Sequence, residues 1–322
     1  MPKSSVPNDA VVKDTHVVLV TKDNGKKKAR WVVADKRPKG QPKDKSASSP
    51  TCTAATILVL LGLLSVFSWD FEQLDVTKAY TLAAPSSPFY VRFPPGFRSY
   101  LVAAHDGDIP FEPSENLCAV RKNLYGDPPA GRLLFDLITM FFTRDLHFNV
   151  SPVDRCCFSR AVFHEGSRLV CTVLLYVDDL LVLGDSHLVR DVVESFKARF
   201  PTTPGGDNYL SLAIEHLRDT DTVHVKQTSN ARALLELTGM LDCAPVRTPL
   251  PVDFIASTDD ESSTPTSVTH DFASVLGSIG HMLITRPDLG YAYGVLSTVA
   301  APSAASPTAP TPTHRRALVV GD

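Results

Sequence analysis

The run LLYVDDLLVL, Leu174 to Leu183, constrains the fold more than any other stretch of the chain. It is apolar enough for a buried strand, yet two adjacent aspartates stand at its centre. Unpaired buried charge is costly, so these carboxylates must sit at a turn, be paired, or bind metal. One reading is a β-hairpin whose tight turn happens to be acidic. The other is a metal site. Strand side chains alternate, so Asp178 and Asp179 diverge if both are mid-strand but can converge on one edge at a tight turn. Two hard carboxylates on a rigid turn suit Mg²⁺, which prefers oxygen ligands. A second ion calls for a third carboxylate. Asp75 in EQLDVTKAY has the same setting, one aspartate between apolar neighbours in a short strand, whereas Asp70 and Glu72 read as exposed residues at the strand's start. Three carboxylates on two neighbouring strands would hold two ions about 3.5–4 Å apart.

The surrounding pattern is mixed. HVVLVTKDNGKKKARWVVAD predicts two strands joined at Asp23-Asn24-Gly25, since Asn-Gly is a strong hairpin signal. A polar loop, Pro38 to Pro50, precedes the almost wholly apolar Ala54 to Trp69. That stretch is shorter than the ~18 residues a spanning helix needs. It is expected to be a buried helix, with a membrane anchor as the alternative. Short strands are expected in WDFEQLDVTKAY and SPFYVRFPPGF. AGRLLFDLITMFFTRDL predicts a helix with Leu133, Leu134, Leu137, Met140 and Phe141 at helical spacing. RAVFHEGSRLVCTVLLYVDDLLVLGD predicts strands turning at Glu165-Gly166-Ser167 and at the aspartates. A helix from Ser186 to Phe200 places Leu188, Val189, Val192, Val193 and Phe196 on one stripe. NYLSLAIEHLRDTDTVHVKQ predicts a further hairpin around Asp219-Thr220-Asp221. Ala256 to His270 reads as a polar loop, Asp271 to Ile284 and Pro287 to Val299 as helices, and APSAASPTAPTPTH as low complexity. This order argues for an α+β fold with an antiparallel sheet.

Composition excludes little. The 322 residues carry a net charge of −3, with 43% hydrophobic and 21% charged, as in an ordinary globular protein of two or three subdomains. A neutral protein can still carry a basic groove, so nucleic acid is neither required nor excluded. The dense Lys and Arg between Lys22 and Lys45 read as a solvated loop. Six cysteines without C-x-x-C spacing suggest free, packed thiols in a reducing compartment. MPKSSVPNDA has no apolar core of a signal peptide. His216, His224, His281 and His314 have no ligand spacing.

LDVTKAY, RFPPGF, NLYG, YVDDLLVLGD, VRTPL and TRPDLGYAYGVLS occur in one order and spacing, and over about Val17 to Leu318 the chain resembles the reverse transcriptase domain of copia-type LTR retrotransposons. The resemblance implies a right-hand polymerase: an antiparallel palm sheet backed by helices, fingers, and a helical thumb-like C-terminal part. Its division of the chain is a ragged start (1–16), a fingers part (17–70), and palm with a fingers insertion (71–215). The primer-grip hairpin and start of the thumb (216–255), polar loop (256–270), helical thumb or connection (271–300) and low-complexity tail (301–322) follow. It implies that Asp75, Asp178 and Asp179 form the catalytic triad binding two Mg²⁺ or Mn²⁺ ions. Lys28 and Arg30 would hold the triphosphate of a dNTP, where Arg presents a multi-donor fork. Tyr80 would exclude a ribose 2′-hydroxyl, and Tyr125 and Gly126 would lie beside nucleotide and template. Leu212, Ala213 and Ile214 would grip the primer end. Implied partners are an RNA or DNA template with primer, dNTPs and the other polyprotein parts (ribonuclease H, integrase), with no membrane. The implied location is intracellular and cytoplasmic, in a virus-like particle.

The chain departs from the family in places. After NLYG the family reads Leu-Lys-Gln-Ala-Pro-Arg-Ala-Trp, and here the sequence is DPPAGRLL: Pro128 and Pro129 replace Lys and Gln, while Arg132 remains. AAPSSPF replaces an acidic stretch, the Gly-Phe-Thr-Gln signature after Arg37 is missing, and Ala213 stands where Gly is expected. No second carboxylate cluster for ribonuclease H and no zinc pattern for an integrase is seen. Read as drift, these changes predict weak or lost activity. Three classes remain open: an RNA-directed DNA polymerase, an inactive remnant that keeps the fold and nucleic-acid binding, and a membrane-anchored protein built on Ala54–Trp69.

Overall fold

A computed structural model describes residues 1–21, 25, 27–34, 47–105, 107, 109–205, 208–251, 254 and 272–300. The expected turn at Asp23-Asn24, most of the loop from Pro38, the loop 256–270, Asp271 and the tail 301–322 lie outside the described residues. What is described is a mixed α+β protein in two compact units, one ending at Gly205 and one following it. That break falls ahead of the boundary expected at 215.

The first unit begins with β1 (Val12–Lys13), β2 (Thr15–Thr21) and β3 (Lys27–Val33), then α1 (Ala54–Val66), β4 (Asp70–Val76), β5 (Tyr90–Val91), α2 (Phe97–Ala104) and β6 (Cys118–Ala119). It continues with α3 (Ala130–Met140), β7 (Asn149–Val150), β8 (Cys157–His164), β9 (Ser167–Tyr176), β10 (Asp179–Gly184), α4 (Ser186–Arg199) and β11 (Thr202–Pro204). Its centre is a six-stranded sheet in the order β11-β4-β10-β9-β8-β7, antiparallel throughout. Leu180, Leu181, Val182 and Leu183 of β10 are all buried, as are Val173, Leu174 and Leu175 of β9. Such continuous apolar runs need cover on both faces. α4 supplies part of it through the expected stripe Leu188, Val189, Val192, Val193 and Phe196. Phe196 joins a ring cluster with Phe142 (5.7 Å), Phe141 (5.7 Å) and Phe200 (4.7 Å). Full burial of each such ring stabilises by about 1.5–3 kcal/mol.

Several expectations change. Residues 1–16 are not a ragged start: β1 runs parallel to β5, and the Met1 ammonium donates to the Leu117 carbonyl at 2.9 Å. α1 packs against β10 but is not buried all round. Ile57, Leu60, Leu61 and Leu64 face inward, while Val59, Val66 and Phe67 stand exposed, because a helix on a sheet buries only one stripe. Among the described residues no helix is long and apolar enough to cross a membrane. The buried stripe of α3 is Ala130, Leu134, Phe135 and Ile138, and Met140 faces solvent. A π turn, Phe141–Asp145, extends that helix and turns Phe141 and Phe142 into the ring cluster. The helix α2 was not expected.

The second unit holds β12 (Asn208–Tyr209), β13 (Leu212–Leu217), β14 (Thr222–Lys226), α5 (Thr228–Leu237), α6 (Phe272–Met282) and α7 (Gly290–Ala300). The strands form one antiparallel sheet in sequence order. Gln227 is buried and ties the helices to it: its amide donates to the His281 carbonyl at 3.3 Å and accepts from the Thr285 hydroxyl at 2.7 Å. Pro287 opens a 3₁₀ turn before α7, as a helix start should.

Candidate functional site

The acidic turn is a two-residue hairpin loop. Tyr176 closes β9, Asp179 opens β10 as its direct partner, and Val177-Asp178 connect them. Val177 sits at φ 56°, the left-handed conformation that a tight turn asks of its first central residue. Only Asp178 is therefore in the turn, and Asp179 already belongs to the strand. On the other side of β10, Asp179 pairs directly with Asp75 of β4, and the Val76 amide donates to the Asp178 carbonyl at 2.9 Å. Thr203 of β11 pairs with Asp75 in turn. Directly opposed residues share a face, so Thr203, Asp75, Asp179 and Tyr176 form one row across four strands. Glu72, three positions before Asp75, meets Lys197 of α4 at 2.6 Å. Alternation then puts Asp75 on the face turned away from α4.

Around this row stand three more of the expected residues. The Tyr80 and Tyr125 rings meet edge to face with centroids 5.3 Å apart, and the Arg30 guanidinium lies 5.7 Å from the Tyr125 ring centre. Burial pushes the Tyr80 hydroxyl above its usual range, the charge of Asp178 adds to this, and Arg30 opposes it. Burial likewise raises Tyr125, against Arg30 and with Asp178 and Asp75. Both phenols stay protonated at neutral pH. The Nε of Arg30 is buried and has no hydrogen-bond partner among the described residues.

Gly126 explains how β3 reaches this place. The Val33 amide donates to the Tyr125 carbonyl at 2.7 Å, and Val32 bridges to Tyr125. A Cβ on Gly126 would lie 2.5 Å from the Val33 carbonyl oxygen, and its φ is 81°. Asp127, next along, is buried and bonds the Lys13 ammonium at 2.5 Å. Sequence reasoning missed that pair, and it missed Thr203. Lys28 stands exposed near the start of β3, with no ion pair to another described residue. Leu212 and Ile214 are buried, and alternation leaves Ala213, half-buried, on the opposite face of β13.

The donor chemistry suits a hard divalent cation: two carboxylates at opposed positions and a third one residue away. Among the described residues, however, no three Asp, Glu, His or Cys side chains are gathered into one ligand set. The backbone register places Asp75 and Asp179 directly opposite each other, with Asp178 one residue before Asp179.

Residues 4–252 match the family described as "Reverse transcriptase (RNA-dependent DNA polymerase)". The chain is 30% identical over 251 residues to the retrovirus-related Pol polyprotein from transposon RE2 of Arabidopsis thaliana, covering 77% of this chain and 16% of that protein. The Pol polyprotein from transposon RE1 of the same plant gives the same identity and coverage. That from transposon TNT 1-94 of Nicotiana tabacum is 27% identical over 260 residues, 77% of this chain and 18% of that protein. The match therefore spans less than a fifth of these relatives. The ordered motifs and these matches agree, and the chain belongs to the reverse transcriptase family, as the reverse transcriptase domain of a copia-type retrotransposon.

Proposed function

We propose that the chain is an RNA-directed DNA polymerase, joining dNTPs to a primer 3′-hydroxyl on an RNA or DNA template. The observation that carries this reading is the direct pairing of Asp75 with Asp179 on adjacent strands, with Asp178 in the loop between β9 and β10. In it the six-stranded sheet is the palm, β2 and β3 belong to the fingers, β13 and β14 form the primer grip through Ala213 and its neighbours Leu212 and Ile214, and the later helices form the thumb. Asp75, Asp178 and Asp179 hold two Mg²⁺ or Mn²⁺ ions. When bound, the ions lower the pKa of the attacking hydroxyl and offset charge on the departing pyrophosphate. Arg30 and Lys28 donate to the triphosphate, and the unpartnered Nε of Arg30 is a donor available for it. Tyr80, braced by Tyr125, forms a rigid wall against a ribose 2′-hydroxyl. Gly126 lets β3 approach close enough to bring Arg30 to that wall. We place the protein in the cytoplasm, working with the ribonuclease H and integrase parts of a polyprotein.

The test is primer extension on poly(rA)/oligo(dT) with Mg²⁺ or Mn²⁺. Incorporation of dTTP is expected, with loss of at least about a thousandfold in Asp178→Asn. Tyr80→Ala should accept ribonucleotides more readily. A chain that binds primer–template but extends nothing with either ion would be the inert remnant instead.

A further inference from the structure

Asp75 has a neighbour on each side. On one is Asp179, a like charge. On the other is Thr203, its direct partner on β11, whose hydroxyl donates to Asp75 Oδ2 at 3.3 Å. We propose that Thr203 is a positioning residue for Asp75: it holds one carboxylate oxygen toward β11 and so presents the other toward Asp179, where a divalent cation would be shared. The proposal rests on the metal-site reading above.

The approach of β11 is built rather than incidental. The Thr77 amide donates to the Pro201 carbonyl at 2.9 Å, and the Gly205 amide to the Gln73 carbonyl at 2.9 Å, so β11 is fastened to β4 at both ends. A Cβ on Gly205 would lie 2.9 Å from the Gln73 Cβ. Only glycine lets the edge strand come this close, and that closeness brings the Thr203 hydroxyl within reach. Gln73 itself lies one pleat below Asp75 on the same face, buried, with its Oε1 unpartnered among the described residues. Gln73 is thus the polar same-face neighbour of Asp75 along β4, and among the described residues Thr203 donates to the Asp75 carboxylate. Groups that bond a metal-binding carboxylate from behind fix its orientation and thereby tune affinity for the ion.

The experiment titrates Mn²⁺ alone against the full chain and follows the free-ion electron paramagnetic resonance signal. The variants are Asp75→Asn, Thr203→Val and Thr203→Ser, with thermal unfolding of each. Valine keeps the branched shape and strand preference of threonine and puts a methyl group in place of the hydroxyl. Thr203→Val is expected to weaken Mn²⁺ binding by roughly three- to tenfold with unchanged unfolding temperature, and Thr203→Ser to stay within about twofold of the parent. Equal affinity in Thr203→Val and the parent, while Asp75→Asn binds less, overturns the role of Thr203 and leaves the metal site standing. Equal weakening by valine and serine also overturns it, since the hydroxyl is then not what matters. Unchanged binding in Asp75→Asn overturns the metal reading and this inference together.

Discussion

Gly126 and the Lys13–Asp127 pair decide how β3 sits against the loop that carries Tyr125. Gly126→Ala places a methyl group 2.5 Å from the Val33 carbonyl at a φ of 81°. Overlap and backbone strain together should cost at least about 2 kcal/mol, read as a lower midpoint in urea. The replacement of family Leu-Lys-Gln by Asp127-Pro128-Pro129 reads in the sequence as loss. The structure gives Asp127 a partner 114 residues away, with its side chain 1% exposed and that of Lys13 29% exposed. Asp127→Leu or Lys13→Met alone leaves one charge behind and should cost about 2–3 kcal/mol, while the double replacement should recover most of it. A double-mutant cycle in urea measures this, and strict additivity would show that the pair is uncoupled. Asp75, Asp178 and Asp179 were legible in the sequence because charge inside an apolar strand is conspicuous. Lys13 and Thr203 were not, because a surface-like lysine and a strand threonine acquire meaning only from partners far along the chain.

α1 is anchored by one carboxylate. Asp154, just before β8, accepts from the Thr53 amide (2.9 Å) and the Thr56 hydroxyl (2.7 Å) at the start of α1, and from the Cys156 amide (3.0 Å). Burial works against its charge, yet these bonds hold its carboxyl below the usual range. The folded chain therefore takes up this proton less readily than the unfolded one. The stabilisation is complete above the ordinary carboxylate range and is lost as pH falls through the depressed value. Asp154→Asn should cost about 2–3 kcal/mol at pH 7 and flatten the acid limb of a stability–pH curve. An acid limb as steep as the parent's would exclude Asp154 as its source. Periodicity revealed α4 residue by residue, since its stripe packs on the central sheet along the helix's length. It misplaced the stripe of α3, because apolar residues stand on both sides of the buried line: Leu133 and Leu137 are half-buried, while Leu134, Phe135 and Ile138 face the core. The missed helices α2 and α5 are short, at 8 and 10 residues. α5 buries no residue fully and so shows little stripe to find.

At the scale of the whole molecule, the cysteines report on packing. Cys52, Cys156, Cys157 and Cys171 are buried in the first unit, and Cys243 in the second is exposed. Burial pushes the Cys156 and Cys171 thiols up to about 12 and Cys157 to about 11. The thiolate is the reactive form, so alkylation at pH 8 should modify Cys243 first and reach these three only on unfolding. Mass spectrometry of the labelled chain reads the order, and early labelling of Cys171 would contradict the packed sheet. The α+β class and the hairpins β8-β9-β10 and β13-β14 were readable because those strands are consecutive in the chain. The division at Gly205 was not, because a change of unit inside a continuous run of short strands leaves no mark on composition.

The middle of β10 offers no means of telling its two sides apart: four buried apolar residues follow one another, and a shift by one position would bury the same chemistry. What sets the register lies at the ends. One is the two-residue loop at Val177-Asp178. The other is Gly184, where a Cβ would meet the Val170 carbonyl oxygen at 2.1 Å. Gly184 thus acts as the zero mark of a ruler whose fifth division, about 17 Å away, is Asp179. The quantity that this strand has to preserve is its count, and a chain that kept every apolar residue but gained one would keep its core and misplace its acid.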